Sequence, residues 1–351
     1  MAVVATMSER TERLRSALEE PLLVTNPTNV YYLTGFRSSN AALLVEHERT
    51  LLFTDFRYAD SARAVEGVEF VQTPRAMLRA VAEQLSGRIA FEAAALTYAN
   101  WQTLDAAGLD LVPTAGVVEK LRAIKDEAEL AAIREACRIT DATFAALAEE
   151  PFVGRRERDV AWTMEQLFRE HGAHAVSFEL IVSSGARGAR PHARAGEDEI
   201  DANTLVVIDA GCVFDNYLSD CTRTFATGDL PDELARMYEV CKQAQRDALD
   251  AVRPGAAGRD VDAVSRRAID EAGWGEKYGH GLGHGVGLAL HEAPTLRPES
   301  EDVLEPGNVH SVEPGIYLEG NAGVRIEDLV AVTDDGCEIL TQFTKELVTV
   351  R

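Results

Sequence analysis

The spacing of apolar residues changes repeatedly along the first third of the chain. Segment 41–55, AALLVEHERTLLFTD, predicts two strands around a polar turn at 46–49. Residues 76–85 have apolar positions at helical spacing, and RIAFE at 88–92 predicts a strand. In LLVTNPTNVYYLTGF, at 22–36, Asn26-Pro27 predicts a turn that precedes a β-branched and aromatic strand. These elements predict a small α/β domain.

Helical spacing then dominates residues 117–150, and the start of this stretch predicts a boundary between domains at 1–121 and 122–351. In the second part the pattern predicts a strand-rich core with covering helices, which makes the fold class α/β (α+β). The predicted helices are 156–171, 232–252 and 258–272, and the predicted strands are 178–183, 204–210, 217–227, 307–313 and 323–333.

Charge changes this picture by excluding some partners. The chain has 58 acidic and 35 basic side chains, a formal net charge of −23, and only five of the basic residues are lysines. Such a surface repels nucleic acids and anionic membranes. An acidic excess with scarce lysine is also expected in concentrated salt, where screening shortens to roughly 3 Å at 1 M. High-salt adaptation is one hypothesis, and an ordinary acidic cytosolic enzyme is the other.

Cysteines and apolar runs indicate the compartment. The five cysteines are scattered without a CxxC pair, which favours a reducing cytoplasm over a disulfide framework. Cys212 and Cys221 lie beside aspartates, but packing is the better interpretation of both. No run of 18 apolar residues predicts a membrane span, and MAVVATMSERTERL lacks the basic leader of a secretory signal. We therefore expect a cytoplasmic protein.

Two aspartates occupy the ends of apolar strands in segment 205–228. Asp209 ends one strand, and Asp220 lies near the start of the next, across a turn at Asp215-Asn216. A hairpin can bring both carboxylates to one side of a sheet, where they repel each other unless a cation neutralises them. For this pair alone, metal binding is as good an interpretation as the alternatives, which are turn capping or surface carboxylates.

Histidines and glutamates add further candidate ligands. His280, His284 and His291 fall within twelve residues of a glycine-rich stretch, where backbone can approach a site closely. Glu313 ends a short strand before Pro-Gly, and Glu327 stands within an apolar strand. Each residue alone is more often structural. Together, four carboxylates and one imidazole suit two divalent ions, Mn²⁺ first, with Co²⁺ or Zn²⁺ as alternatives. Two ions roughly 3.5–4 Å apart support hydrolysis rather than redox chemistry.

Four ordered segments, IDAG…SDCTRTF, GHGLGHGVGL…HE, SVEPGIY and GVRIEDLV, resemble those of the pita-bread metallopeptidases. They are most similar to the proline-specific branch, prolidase and aminopeptidase P, and NPTNVYYLTGF resembles the N-terminal domain of that branch. The resemblance covers nearly the whole chain. It implies a pita-bread catalytic domain preceded by a smaller creatinase-like α/β domain, and dinuclear hydrolysis of the Xaa-Pro bond in peptides or dipeptides.

The resemblance also implies a role for each matching position. Asp209 would bind one metal, Asp220 and Glu327 would bridge both ions, and His284 and Glu313 would complete the second site. Glu313 would also carry the proton between the attacking water and the leaving nitrogen.

Other positions match residues around the metals. His192 and His291 match histidines that contact substrate, and Arg325 matches an arginine that supports the metal carboxylates. His280 has only a loose counterpart outside the ligand set. The resemblance further suggests a homodimer.

The sequence defines the substrate specificity of the site less closely than it defines the reaction type. An Xaa-Pro bond lacks an N–H, so a closed site with a pocket for the ring suits it, and Phe178 and Tyr217 are candidate pocket residues. Prolidases commonly carry an arginine where this chain has Thr295, and Arg297 is a candidate substitute. Dipeptidase and aminopeptidase both remain open.

The alternatives differ in what they retain. A non-catalytic binding protein on this fold, or a creatinase-like hydrolase, typically lacks part of the metal set, whereas this chain keeps all five positions. A methionine aminopeptidase, without strict proline specificity, shares the ligands but usually not the N-terminal domain. A purely structural oligomer would not need so dense a set of carboxylates and histidines.

Overall fold

The structure is a computed structural model that describes residues 7–351. The prediction that no secretory leader is present concerns a stretch whose residues 1–6 lie outside that range. The chain divides into two compact units at Arg122 and Ala123. Among the described helices, none is both long and apolar enough to span a bilayer.

The first unit is built around a six-stranded mixed sheet with the strand order β4-β3-β2-β1-β5-β6. Its strands are β1 (Leu22–Val24), β2 (Ala41–Val45), β3 (Thr50–Asp55), β4 (Glu69–Thr73), β5 (Arg88–Glu92) and β6 (Asp110–Thr114). Its helices are α1 (Met7–Ser16), α2 (Pro27–Thr34), α3 (Ala59–Arg63), α4 (Met77–Ala82), α5 (Tyr98–Asp105) and α6 (Val117–Ala123). The hairpin predicted at 41–55, the helix at 76–85 and the strand at 88–92 are confirmed.

Alternate residues of these strands form the core of the unit. Leu44 on β2, Phe53 on β3 and Phe91 on β5 are buried in one cluster with Val81 of α4. This two-residue period is what a strand with one face against a helix requires. Residues on the other face of these strands, such as Leu43, are buried as well, so the strands are continuous apolar runs in the sequence.

The strand predicted after Asn26-Pro27 is wrong, because this segment forms helix α2. The Asn26 side chain accepts a hydrogen bond from the Thr28 amide at 2.9 Å and caps the helix. Pro27 occupies the first turn, where its missing N–H costs nothing, and Gly35 ends the helix with φ of 68°. Capping outweighs the strand preference of the β-branched and aromatic residues in between.

The second unit contains four small sheets and their covering helices. Its helices are α7 (Glu127–Leu147), α8 (Glu157–Glu170), α9 (Gly185–Gly188), α10 (Asp232–Ala251) and α11 (Gly258–Glu271). Its strands are β7 (Ala175–Val176), β8 (Ile181–Ser184), β9 (Leu205–Ala210), β10 (Cys212–Phe214), β11 (Tyr217–Leu218), β12 (Cys221–Ala226), β13 (Gly283–Gly285), β14 (Glu292–Leu296), β15 (Val309–Val312), β16 (Gly315–Leu318), β17 (Ala322–Arg325), β18 (Asp328–Val332) and β19 (Cys337–Ile339).

The sheets are antiparallel and ordered β12-β9-β8, β14-β13-β15-β18-β19, β11-β10-β7 and β16-β17. Helix α8 packs its apolar residues, among them Met164, against Val206 and Ile208 of β9. Helix α10 packs Met237 against Val324 of β17. The β12-β9-β8 and β16-β17 sheets are therefore covered by helices on an apolar face.

The predicted helices at 156–171, 232–252 and 258–272 are confirmed as α8, α10 and α11. The continuous helix predicted at 117–150 is instead two helices, α6 and α7. Asp126 breaks the run, because its side chain accepts from the Glu129 amide while the Glu129 carboxylate accepts from the Asp126 amide. This reciprocal capping box starts a new helix at Glu127.

Two predicted strands are interrupted, and both interruptions lie at candidate ligands. The strand predicted at 217–227 is β11 and β12, with Ser219 and Asp220 between them. The strand predicted at 323–333 is β17 and β18, with Ile326 and Glu327 between them. The apolar neighbours of Glu327 predict that it lies within a strand. In the structure it lies instead at a break between two sheets.

Candidate metal centre

The five candidate ligands line one cavity of about 730 Å³ in the second unit. They come from five separate segments, namely β9, the break before β12, β13, the end of β15 and the break before β18. His192, His280, His291 and Arg325 line the same cavity. The structure thus brings together all five candidate metal ligands, the three histidines and the arginine proposed around them.

A tight turn brings Asp220 beside the end of β9. Asp215 and Asn216 both have positive φ, 44° and 74°, and reverse the chain between β10 and β11. A Cβ atom on Gly211 would lie 1.9 Å from the Ser219 carbonyl oxygen, so only glycine allows this approach. The break that carries Asp220 is thereby held against the strand that carries Asp209.

A second close approach places His284. A Cβ atom on Gly283 would lie 2.0 Å from the Ser311 carbonyl oxygen. The His284 amide donates to Ser311 Oγ at 3.0 Å, and Ser311 Oγ donates to Glu313 Oε1 at 2.8 Å. His284 Nε2 lies 3.3 Å from that same oxygen of Glu313 and 3.7 Å from Asp220 Oδ2.

The geometry fits a divalent cation. Asp220, His284 and Glu327 each offer a ligand atom, and these atoms lie within 4.8 Å of one another. Among the described residues, Asp209 Oδ1 and Glu327 Oε1 are buried carboxylate oxygens without a hydrogen-bond partner. Leaving such oxygens unsatisfied is costly, and a cation is the group that satisfies several of them at once.

Electrostatic repulsion within the cluster supports this interpretation. Burial and then the neighbouring carboxylates raise the pKa of Asp220 and Glu327 well above their usual range. Burial opposes the charge on His284, yet its hydrogen bond with Glu313 and the surrounding negative charge raise its pKa to about 9. Without a metal, the cluster therefore retains protons in place of a cation.

The hydrogen bonds of His284 select the tautomer that a metal requires. Its Nδ1 lies 3.2 Å from the Gly285 carbonyl oxygen, so this nitrogen carries a proton and donates it. Its Nε2 faces the carboxylates and is left to bind a cation through its lone pair.

Arg325 connects two of the candidate ligands. Its Nη2 donates to Asp209 Oδ2 at 2.7 Å, and its Nε donates to Thr222 Oγ1 at 3.0 Å. The Thr222 hydroxyl in turn donates to Glu327 Oε2 at 2.7 Å. Since Arg325 is 3% exposed, its charge offsets part of the repulsion among the carboxylates and holds two of them in position.

His280 lies in a structural chain rather than among the ligands. Its Nδ1 donates to the Gly281 carbonyl oxygen at 2.8 Å, and its Nε2 accepts from the Tyr317 hydroxyl at 2.8 Å. Tyr317 accepts from Arg325 Nη1 at 3.0 Å. Burial lowers the pKa of His280, so the ring stays neutral. Both ring nitrogens are occupied, which leaves neither for a metal.

His192 and His291 line the cavity from two separate loops. The His291 ring lies 4.2 Å from the His284 ring, measured between centroids. Burial, and then the charge of His284, lower the pKa of His291. His192 is exposed on the segment that follows α9. Both side chains are therefore available to a substrate.

One of the sequence-based suggestions, Tyr217, differs from the structure. Phe178 lines the cavity, but Tyr217 does not, because its hydroxyl donates to Glu129 Oε1 at 2.8 Å in the packing of β11 against α7. Cys212 and Cys221 are fully buried, and burial raises the pKa of both thiols. The packing interpretation of these cysteines agrees with that environment.

Sequence reasoning missed Thr222, Ser311 and Tyr317, which orient the candidate ligands. Thr222 lies two positions after Asp220, and Ser311 lies two positions before Glu313. A spacing of two puts side chains on the same face of an extended chain, so this signal was present. Tyr317 has no such relation to a ligand and is placed only by the β16–β17 hairpin.

Comparison with known proteins agrees with a hydrolytic metal site. Residues 131–334 match metallopeptidase family M24, and residues 10–124 match the creatinase/prolidase N-terminal domain. The chain is 33% identical to the Xaa-Pro dipeptidase of Pyrococcus furiosus, over 97% of this chain and the whole of that protein. Such agreement over both units defines a metal-dependent peptidase.

Solved structures resemble the chain equally closely. An Xaa-Pro dipeptidase from Bacillus anthracis has a TM-score of 0.94 and 38% identity, covering 98% of this chain and all of that one. An X-Pro aminopeptidase from Thermotoga maritima has a TM-score of 0.88 and 32% identity, covering 97% and 100%. The chain belongs to metallopeptidase family M24. The pita-bread fold with its creatinase-like N-terminal domain, and the hydrolase class, are confirmed.

Proposed function

We propose that this enzyme hydrolyses the peptide bond that precedes proline, in dipeptides or at the N-terminus of longer peptides. The observation that carries this proposal is the convergence of the five donors on one cavity, together with likeness to enzymes named as Xaa-Pro dipeptidases and an X-Pro aminopeptidase. We place its domain limits at 1–121 and 122–351. Its five proposed metal ligands are Asp209, Asp220, His284, Glu313 and Glu327.

The donor set favours Mn²⁺, with Co²⁺ or Zn²⁺ as alternatives, because four carboxylates and one imidazole form an oxygen-rich site. Two bound divalent ions would polarise the scissile carbonyl group and lower the pKa of the attacking water. The unpartnered oxygens of Asp209 and Glu327 are the atoms most in need of such ions.

Glu313 is the residue we assign to proton transfer. Burial opposes its ionisation, but the hydrogen bond and charge of His284 lower its pKa to about 2. Metal binding at His284 Nε2 would replace the imidazolium charge by that of the cation, so Glu313 would remain ionised and able to accept a proton at Oε1. Ser311 holds this oxygen at 2.8 Å and fixes where the proton is received.

His291 and His192 are assigned to substrate contact. A neutral His291 can donate a hydrogen bond to an oxygen that gains negative charge during the reaction. His192 lines the same cavity. Arg325 keeps Asp209 oriented and so supports the reaction without contacting substrate.

Cleavage before proline is possible because the proposed site does not require an N–H on the scissile bond. The imide nitrogen of an Xaa-Pro bond carries no hydrogen, so recognition cannot depend on donation from that position. The proposed site instead acts on the carbonyl group, and Phe178 offers an apolar surface for the ring. The proposed substrates are therefore proline-containing dipeptides and peptides.

Metal removal tests the proposal. Protein treated with chelator is expected to lose cleavage of both Ala-Pro and Ala-Pro-Ala, and to regain it with Mn²⁺ or Co²⁺. Hydrolysis of Ala-Leu by the reloaded enzyme should be much slower, because a non-proline bond does not fill the ring pocket. Full activity of metal-free protein, or equal rates on the two dipeptides, would contradict the proposal.

Substrate length is proposed to depend on Arg297. The Thr295 hydroxyl is engaged with Asp302 Oδ2 at 2.9 Å and carries no charge for a carboxylate. Arg297 is exposed, lines the cavity, and has no acidic partner among the described residues. It is therefore available to bind the free carboxylate of a dipeptide.

Replacing Arg297 with glutamine is expected to raise KM for Ala-Pro roughly fivefold and to leave Ala-Pro-amide within twofold. An exposed charge-assisted contact is worth about 1 kcal/mol, which sets this size. Arg194→Gln is the matched control, because Arg194 also lines the cavity but already pairs with Glu179 at 3.0 Å. Equal losses on both substrates would show that Arg297 does not read the carboxylate.

Metal binding is also expected to stabilise the fold more strongly as pH rises. In the metal-free protein, the raised pKa values of Asp220 and Glu327 give stability that is present below their ordinary pKa and lost as pH rises. The contribution of His284 is present below 6.5 and is lost as pH rises through about 9. All three changes have the same sign, and deprotonated ligands bind a cation more tightly.

Melting curves with chelator and with excess Mn²⁺, between pH 5.5 and 9, measure this difference. The gap between the two melting temperatures should widen with pH, toward a stabilisation of ~4 kcal/mol at a metal concentration 1,000 times Kd. Asp220→Asn should flatten the slope of the metal-free series. A gap that narrows as pH rises would contradict the proton–metal competition.

We further propose a cytoplasmic homodimer adapted to high salt. The net charge of −23 and the scarcity of lysine support the salt dependence. If activity and melting temperature were both maximal in dilute buffer, the proposed adaptation to high salt would be ruled out.

A further inference from the structure

A buried glutamate outside the metal cluster holds the segment that carries His192. Glu157, the first residue of α8, is 0% exposed. Its Oε1 accepts from the Ser184 amide at 2.8 Å and from the Ser184 hydroxyl at 3.2 Å. Its Oε2 accepts from Arg187 Nε at 2.9 Å and from the Gly196 amide at 3.1 Å. One carboxylate thus receives four hydrogen bonds.

These partners lie at the two ends of a single loop, residues 185–196, which we call the His192 loop. Ser184 and Arg187 stand at its start, and Gly196 stands at its end. The Arg187 guanidinium also donates to the Arg194 carbonyl oxygen at 2.6 Å, across the loop. The main chain adds to this closure, because the Arg158 amide donates to the Gly196 carbonyl oxygen at 3.1 Å. Glu157 therefore closes the loop at its base.

The tip of the same loop is tied to the metal cluster. Arg325 Nη1 donates to the Pro191 carbonyl oxygen at 3.3 Å, next to His192, while its Nη2 donates to Asp209. With the base held by Glu157 and the tip by Arg325, the backbone on either side of His192 is held, and the His192 side chain lines the cavity. A buried carboxylate that is paired with Arg187 and fully hydrogen-bonded rigidifies the segments that it joins.

We propose that Glu157 is a positioning residue for the reaction, acting through His192. It contacts neither the cavity lining nor the candidate ligands, and it sets where the imidazole meets the substrate. This proposal rests on the substrate-contact role assigned to His192 under the proposed function. The proposal goes beyond that role because it predicts a loss of peptidase activity in a Glu157 variant whose His192 imidazole is intact.

The test compares Glu157→Gln, His192→Ala, the double variant and Glu197→Gln, all as Mn²⁺-loaded full-length protein with Ala-Pro. Glutamine has one acceptor oxygen, so one side of the loop base loses its acceptor. Glu197 is the matched control, because its carboxylate pairs with Arg156 and Arg158 on the exposed surface near the same loop. Metal content and melting temperature are recorded for each variant.

Glu157→Gln is expected to lower kcat/KM at least tenfold with unchanged metal content, and Glu197→Gln to stay within twofold of the wild type. In the His192→Ala background, Glu157→Gln should cost less than a further twofold, because there is no imidazole left to position. An equally large loss in that background would overturn the proposal, as would a single variant with wild-type kinetics or an unaffected His192→Ala.

Trypsin provides a readout that does not depend on peptidase activity. The His192 loop contains Arg187, Arg190 and Arg194, and its release from Glu157 should speed cleavage within 185–196 at least tenfold relative to Glu197→Gln. Arg187→Ala opens the same base from the other side and replaces Glu157→Gln if the latter does not fold. If trypsin cut the His192 loop of both variants at the control rate, the proposal would be overturned, whatever peptide bond the enzyme itself hydrolyses. If trypsin cut the loop faster but the enzyme did not hydrolyse Xaa-Pro bonds, only the proposed function would be wrong.

Discussion

Replacing Glu313 with glutamine is expected to lower kcat for Ala-Pro by about 10²- to 10⁴-fold, the range typical of a lost general base. The amide keeps the shape and the contact with Ser311, but it can neither accept a proton at Oε1 nor oppose the charge of a metal. KM should change far less than kcat, because no proposed substrate contact is removed. Steady-state kinetics on Mn²⁺-loaded protein measure both constants.

Metal analysis separates proton transfer from ligand loss in this variant. Asp209, Asp220, His284 and Glu327 remain, so we expect more than one metal per chain to be retained. Glu319→Gln, at an exposed turn between β16 and β17, is the control for a lost surface charge and should behave as wild type. Activity within tenfold of wild type at full metal content would show that Glu313 does not carry the proton.

The second large effect is expected on stability, at Arg223. Its guanidinium is 2% exposed and donates to Asp328 Oδ1 at 2.7 Å, and also to the carbonyl oxygens of Phe343 and Glu327. Asp328 is 0% exposed and receives a further bond from Lys345 at 2.6 Å. Since removal of the guanidinium leaves Asp328 with Lys345 as its remaining cation and the carbonyl oxygens of Phe343 and Glu327 without this donor, Arg223→Ala is expected to lower the free energy of unfolding by about 3–5 kcal/mol.

Urea unfolding of metal-free protein measures this change without a contribution from bound ions. The control is Arg138→Ala, which breaks an exposed pair with Glu135 and should cost less than about 1 kcal/mol. If both variants lost the same small amount, the buried pair would not be a main support of β12 and β18.

Much of the fold is predictable from the sequence because its signals are local. The hairpin at 41–55 has an apolar run on each side of a polar turn, and α8, α10 and α11 have continuous helical spacing. The errors also have local causes. Asn26 and Asp126 both cap helices, and a cap satisfies backbone amides in a way that apolar spacing does not reveal.

The residues that form the candidate site can be predicted from the sequence, but the residues that orient them cannot. Its five donors are distinctive residue types in ordered segments, so they can be found without coordinates. The groups that orient them are ordinary threonine, serine and tyrosine residues, and their role depends on which strands become neighbours. Thr222 meets Glu327 across 105 positions of sequence, a contact that no local pattern contains. The role of Glu157 is not predictable for the same reason, because its partners are distant in sequence and a glutamate in the first turn of a helix is common.

The two strand breaks at Asp220 and Glu327 have a consequence for how the protein opens. Candidate ligands from different sheets would share the same cations, so no one of these strands can detach without releasing an ion. In the loaded enzyme, amide hydrogens on β9, β12, β13 and β15 should therefore exchange through one common opening event, although they lie up to a hundred residues apart. Removing the metal should divide that event into several smaller and independent ones.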